Sequence, residues 1–146
     1  MWILFIAALF GMIYSTWDHQ ATATADAQYS LSNQDVKQVA NGMIVLSNVL
    51  GSYLYKNPID NGHIDTTNLP VPLVIDRRIN HTILNKRLWI YTSENIPSLT
   101  TELQRISTNS ALICIVKNGR LQMLNGADMN ITLPPDVKEG SVVYLN

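Results

Sequence analysis

From Trp2 to Tyr14 the chain carries no charge, is broken only by Gly11, and is bracketed by Trp2 and Trp17, whose amphipathic rings favour the headgroup level of a bilayer. An element apolar on every side must be solvated by lipid or enclosed by protein, and a chain of 146 residues has little left with which to enclose it. As a helix, residues 1–17 rise about 25 Å at about 1.5 Å per residue, slightly less than a hydrocarbon core of about 30 Å. Spanning therefore requires local thinning or continuation of the helix through Ser15 and Thr16. The expectation is a retained membrane anchor at residues 1–17, formed by Trp2, Ile3, Leu4, Phe5, Ile6, Leu9, Phe10, Met12, Ile13, Tyr14 and Trp17.

A cleaved signal peptide is the competing reading, because Ala23-Thr24-Ala25 and Ala25-Asp26-Ala27 both have the small-x-small form of a peptidase site. Against it, nothing basic precedes Trp2, and a long polar gap separates the apolar run from either site. The first basic residue is Lys37, and Asp18 and Asp26 do not oppose export, so the body is expected on the far side of the membrane. Residues 18–30 lack hydrophobic periodicity and read as a tether. Residues 31–146 remain for one domain with a single core.

Composition narrows the partners. Charged residues make up 14% of the chain and hydrophobic ones 47%, a polarity carried by Asn, Thr and Ser that suits an extracytoplasmic surface. A net charge of −1 supplies no basic stripe for phosphates, so nucleic acid is not an expected partner. Cys114 is the lone cysteine and lies in the apolar run Ala111 to Val116, a setting for an inert core thiol.

Periodicity then gives the elements. Ser32-Asn33-Gln34-Asp35 has the form of a capping box. Beyond it Val36, Val39, Met43, Leu46, Leu50 and Tyr53 recur at steps of three and four, a single apolar stripe along a long amphipathic helix. That stripe packs on the domain's own sheet or docks a partner, and the second reading makes these six residues candidate contacts. Gly42 and Gly51 weaken the helix by about 1 kcal/mol each relative to Ala, which suits a helix held by packing. Lys56 to Asn68 reads as a loop that is a second candidate contact region. Leu69 to Ile75, with Pro70 and Pro72, is at best an edge strand. Arg87 to Thr92 alternates and is predicted as a strand, and Pro97 opens a helix running to Ser107. Ala111 to Val116 and Arg120 to Leu124 flank Asn118-Gly119, the signature of a tight hairpin, and Gly140 to Leu145 makes a last strand. The predicted class is α+β: an N-terminal transmembrane helix, then a long amphipathic helix packed on a small antiparallel sheet with a second helix.

No catalytic pattern accompanies these elements. The three histidines stand apart at 19, 63 and 81, and Asp60, His63 and Asp65 are the nearest thing to a metal cluster, a grouping that polar loops collect by chance. There is no phosphate loop and no nucleophile motif. Neither an enzyme nor a cofactor is expected. Asn80-His81-Thr82 and Asn130-Ile131-Thr132 match a glycosylation sequon, and Arg77, Arg78, Lys86 and Arg87 form a basic concentration that reads as a solvated loop.

The layout resembles the PilM family of type IVB pilus biogenesis proteins, the thin-pilus systems of some conjugative plasmids. The residues carrying the resemblance are Trp2 to Tyr14, the helix ending in Tyr53-Leu54-Tyr55-Lys56-Asn57-Pro58, the connector Gly62-His63-Ile64-Asp65 with Leu69-Pro70-Val71-Pro72, and Asn85-Lys86-Arg87-Leu88-Trp89-Ile90-Tyr91. The resemblance implies a non-enzymatic, single-pass inner-membrane protein whose periplasmic domain contacts other pilus assembly proteins, and allows a homo-oligomer. The alternatives are a minor pilin-like subunit, from which the chain departs in having no acidic residue before Asp18 and no basic leader, and an exported binding protein with a cleaved signal.

Overall fold

The computed structural model describes residues 32–69 and 73–146. The anchor and tether expected at residues 1–30 lie outside that range. The first described element is the long helix α1, residues 32–56, which already includes Ser32, so the residue expected to cap the helix stands inside it. After α1 come a short 3-10 turn, Thr66–Asn68, the strands β1, Ile79–Leu84, and β2, Arg87–Thr92, and the helix α2, Leu99–Ile106. Strands β3, Ile113–Lys117, β4, Arg120–Met123, and β5, Val142–Leu145, complete the fold. The five strands form one sheet in the order β1-β2-β5-β3-β4, and every pairing is antiparallel.

Two hairpins are built locally. Asn118 and Gly119 both have positive φ, 54° and 67°, as the two-residue turn between β3 and β4 requires for its twist to match the strands. The same geometry joins β1 to β2 through Asn85 and Lys86, with φ of 53° and 64°. The strand β1 corrects the expectation of an edge strand at Leu69 to Ile75. Residues 73–75 pair with nothing in the sheet, and prolines lack the N–H that a ladder needs. Leu69 turns inward to the core instead. The true edge strand escapes a periodicity reading because polar Asn80, His81 and Thr82 interrupt it and its turn lacks glycine.

The last strand in the chain is central. Val143 pairs with Tyr91 of β2 on one side and with Cys114 of β3 on the other. Buried Ile79, Ile83, Leu88, Ile90, Ile113 and Val142 belong to one hydrophobic cluster with the α1 stripe and with Leu99 and Leu103 of α2. Trp89, Tyr91, Cys114, Val116, Leu121, Val143 and Leu145 belong to a second cluster, covered by Val137 and, partly, by Met129, Ile131 and Leu133 of the irregular segment between β4 and β5. Helices thus cover one face of the sheet and a connector without helix covers the other.

Both edges of the sheet are closed. At β1, Gly62 and Ile83 exchange backbone hydrogen bonds of 3.0 and 2.7 Å. His63 Nδ1 lies 2.8 Å from the carbonyl of His81, while His81 Nε2 lies 3.1 to 3.2 Å from the backbone of Ile64. At β4, Met129 N–H donates to Leu121 and Met123 N–H to Ala127. An unpaired edge is a template for aggregation, so these segments act as partial extra strands. Glu139 fastens the connector from below, accepting from the amides of Asn118 and Gly119 at 2.8 and 3.0 Å. Those two bonds hold its carboxyl below the ordinary glutamate range.

The glycines of α1 have a packing reason. A methyl group at Gly42 would stand 2.8 Å from Ile79 Cδ1, and one at Gly51 would stand 2.6 Å from Asn146 Nδ2. Asn146 follows β5, and its amide donates to both the carbonyl and the hydroxyl of Ser47 at 3.1 and 3.0 Å. Ser47 is buried, so the contact satisfies a polar group that α1 brings into the interface.

Two outcomes follow for stability. Asn146→Ala should lower unfolding free energy by about 1 kcal/mol, and Gly51→Ala, which gains little alone, should stabilise by up to about 1 kcal/mol once Asn146 is Ala. Urea melts of the four variants of this cycle measure the coupling, and additive effects would refute the clash. The second concerns acid. Burial depresses the His81 pKa below 6.5, with backbone hydrogen bonding from Ile64 opposing and His63 adding to the shift. The unfolded chain therefore binds a proton before the folded one does, and stability falls as pH drops through the interval between the ordinary and the depressed value. A urea midpoint that declines just below pH 6.5, and declines less in His81→Gln, is the expected result; identical profiles would remove His81 as the cause.

Candidate functional site

The six stripe residues are accounted for by the fold. Val36, Val39, Met43, Leu46 and Leu50 are buried, at 8% exposure or less, and Tyr53 is partly buried against the same cluster. The domain's own sheet thus covers five of the candidate contacts, and Tyr53 alone of the six reaches a surface recess. What α1 leaves outward is the complementary spacing Val45, Asn48, Ser52 and Tyr55, with Lys56 beside them, and all five are exposed.

Local chemistry shapes this face. Ser52 Oγ donates back to the Asn48 carbonyl at 2.8 Å, a bond that keeps the hydroxyl against the helix. The helix stops where Asn57 donates both its backbone N–H, at 2.9 Å, and its side-chain amide, at 3.2 Å, to the Tyr53 carbonyl. Pro58 follows, and the residue before a proline is pushed out of helical conformation. The arrested end leaves Tyr55 92% exposed, an aromatic ring in water at the last turn of a helix.

Two adjoining recesses lie along it. One, of about 510 Å³, is lined by Asn48, Val49, Ser52, Tyr53, Lys56, Asn57 and Leu69. The other, of about 570 Å³, is lined by Asn48, Gly51, Ser52, Tyr55, Lys56 and Asn146. Asn48, Ser52 and Lys56 are common to both. Val49, Tyr53 and Leu69 make an apolar floor, and the amides, the hydroxyl and the ammonium make a polar rim. Apolar floors with a few fixed polar groups accept side chains of other molecules. Lys56 forms no ion pair among the described residues, so a positive charge stands available at the rim. Periodicity carried a signal for this face, since subtracting the stripe from the helix leaves Asn48, Ser52 and Tyr55, but nothing in the spacing alone distinguishes it from any solvated surface.

The other candidates of the sequence have structural tasks. Asp65 caps the 3-10 turn, accepting from the Thr67 amide and hydroxyl at 3.0 and 2.6 Å, which lowers its pKa. Asp60 lies 3.7 Å from Lys86 Nζ, and His63 lies 3.8 Å from Asp136 as well as against β1. Among the described residues no group of three or more His, Cys, Asp or Glu is placed to hold a metal ion. Arg78 grips Asp76 through two side-chain bonds of 2.9 and 2.7 Å, and that guanidinium holds the Asp76 carboxyl at about 2. Of the basic concentration, Arg78 and Lys86 are thus engaged by separate carboxylates. Burial pushes the Cys114 thiol up to about 11, the opposite of an activated nucleophile. Asn80 donates to Ser93 Oγ at 3.0 Å from within β1, whereas Asn130 is exposed in the connector. The eleven anchor residues from Trp2 to Trp17 lie outside the described residues, and no helix among the described residues is long and apolar enough to cross a membrane.

No curated protein matches the chain in sequence. A crystal structure of the protein PilM from Escherichia coli B7A is similar in fold, with a TM-score of 0.67 at 28% identity, over 78% of this chain and 93% of that one. The profile of the PilM family matches residues 6–145. A match from the apolar N-terminal run to β5 takes in both the described domain and the segment before it, and the chain belongs to the PilM family.

Proposed function

We propose that this protein is a non-enzymatic, inner-membrane-anchored component of type IVB, thin-pilus biogenesis of the kind encoded by conjugative plasmids, working through protein contacts in the periplasm. Membership of the PilM family carries the reading, since it points to a pilus-related role and so to other pilus proteins as partners. The uncharged run from Trp2 to Tyr14 supports the anchor. The low charge content supports the periplasmic side.

Contact, not catalysis, suits the chemistry of the α1 recesses. Exposed Tyr55, and a lysine with no ion pair among the described residues, beside an apolar floor resemble interface anchors, where a few aromatic residues carry most of the binding energy. The carboxylates whose pKa is displaced, such as Asp76 and Glu139, are engaged in turns and ion pairs, so their shifts have structural causes. The loop from Lys56 to Asn68, the other contact region suggested by the sequence, closes the β1 edge and lends Lys56 and Asn57 to the recess.

Two outcomes test the reading. In cells assembling thin pili, the protein should stay in the membrane pellet after alkali extraction with Met1, or its processed initiator, intact by mass spectrometry. A soluble form starting at Gln28 would sink the anchor, and recovery in sheared filaments would make it a pilin subunit. Tyr55→Ser should weaken capture of pilus assembly proteins about tenfold or more, the usual effect of losing a central aromatic anchor, with the thermal midpoint unchanged. Wild-type capture by this variant would remove the α1 recess as the docking surface.

A further inference from the structure

The segment from Gly62 to Ile64 lies along β1 as a short bridge of sheet, and two imidazoles are built into that bridge. Gly62 N–H donates to Ile83 and Ile83 N–H to Gly62, at 3.0 and 2.7 Å. A carbonyl only accepts, so His63 Nδ1, 2.8 Å from the His81 carbonyl, is the protonated nitrogen of its ring. His63 Nε2 faces Asp136 at 3.8 Å. His81 Nε2 stands between the amide and the carbonyl of Ile64, at 3.2 and 3.1 Å. The two rings meet edge to face with their centroids 6.0 Å apart.

These contacts make the bridge sensitive to one proton. A neutral His81 accepts from the Ile64 amide through Nε2, whereas a charged imidazole is a donor at both nitrogens. Charging the ring therefore exchanges that bond for donation to the Ile64 carbonyl, with no bond gained overall. Solvation then decides. The ring is half-buried, and burial disfavours its charged form. Burial is the main cause that lowers its pKa below 6.5, His63 adds to the shift, and the bond with Ile64 opposes it. His81 has no carboxylate at ion-pair distance among the described residues. Asp136 of the connector faces His63 instead and also acts on Tyr91 of β2, while Asp65, next after Ile64, caps the 3-10 turn. Released from the bridge, the ring returns to water and to its ordinary value. The released form thus takes up a proton first, and closure loses stability as pH falls from 6.5 toward the depressed value.

We propose that Gly62 to Ile64 form a proton-operated strap: protonation of His81 releases it from β1 and bares that edge of the sheet. Gly62 and His63 are exposed, and a peripheral segment opens at less cost than the core, so the strap opens ahead of the domain. The bared edge presents a row of N–H and C=O groups to an extended backbone. Strand addition at β1 is therefore shut at neutral pH and open in acid. The device is independent of the α1 recesses and of where the protein resides, so it stands or falls separately from the pilus reading.

The test is native-state hydrogen exchange of the full-length ¹⁵N-labelled protein in mild detergent, with each rate divided by that of an unstructured amide at the same pH. The amides of Gly62, Ile64 and Ile83 report on the strap, and that of Val143, at the centre of the sheet, reports on the whole domain. The three strap amides should be less protected than Val143 and indifferent to low urea, the mark of local opening. Their protection should fall about threefold to tenfold from about pH 7.5 to about pH 5.5. In His81→Gln, whose amide does not titrate, that fall should vanish; in His63→Gln, which removes the smaller cause, most of it should remain. Strap amides that exchange only together with Val143, protection that is flat in pH, an unchanged fall in His81→Gln, or its loss in His63→Gln each overturns the proposal. The comparison within the wild-type protein decides the first two outcomes without any variant.

Discussion

The fold depends on a strand that is made last and placed in the middle. Each hairpin, β1 with β2 and β3 with β4, closes over a two-residue turn and needs no distant partner, but an isolated hairpin is marginal in water. Strand β5 joins them: Val143 pairs with Tyr91 on one side and Cys114 on the other, and only then does a surface exist broad enough to bury the α1 stripe. Asn146, one residue further on, fastens the result to α1 through Ser47. The close approach that allows this clamp explains why two glycines are tolerated in a helix of this length. Intrinsic helix propensity is surrendered at Gly42 and Gly51, and contact with Ile79 and Asn146 replaces it.

Much of this was legible in the residues. The stripe from Val36 to Tyr53 announces an amphipathic helix because burial on one side repeats every three or four positions, and Asn118-Gly119 announces a hairpin because few residues accept positive φ in succession. Helix α2 also falls where Leu99, Leu103 and Ile106 mark its inner face. What the stripe packs against is not a local property, so the choice between sheet and partner waited on the structure. Strand β1 was hidden for a different reason. His81 and Thr82 are polar, yet one is half-buried and the other buried, because the loop at Gly62 to Ile64 brings backbone partners to them. Periodicity counts apolar side chains and is blind to polar ones satisfied by a distant loop. The candidate surface was less legible still: Tyr55 becomes prominent only once the helix stops at Asn57.

The central position of β5 also has a sequence trace. Val142-Val143-Tyr144-Leu145 is apolar without alternation, and three of its four residues are buried while Tyr144 is partly so. A strand covered on both faces shows this pattern, whereas one with a solvated face alternates. In β4 only Leu121 is buried, consistent with a strand at the edge. The gradient in burial from β5 to β4 is therefore a statement about topology written in composition.

Closure of the edges then constrains how the protein recognises anything else. Addition of a partner's strand to a sheet requires a free row of N–H and C=O groups. Here Gly62 and His63 occupy that row at β1, and Ala127 to Met129 occupy it at β4. An incoming strand would have to displace bonds already made, two of them in the Gly62 to Ile83 bridge alone. Recognition by side chains on a face faces no such cost. On the outer side of α1 that surface is an apolar floor of Val49, Tyr53 and Leu69 with a polar rim of Asn48, Ser52 and Lys56. Among the described residues, then, the faces of the sheet rather than its edges offer the less costly surface for recognition.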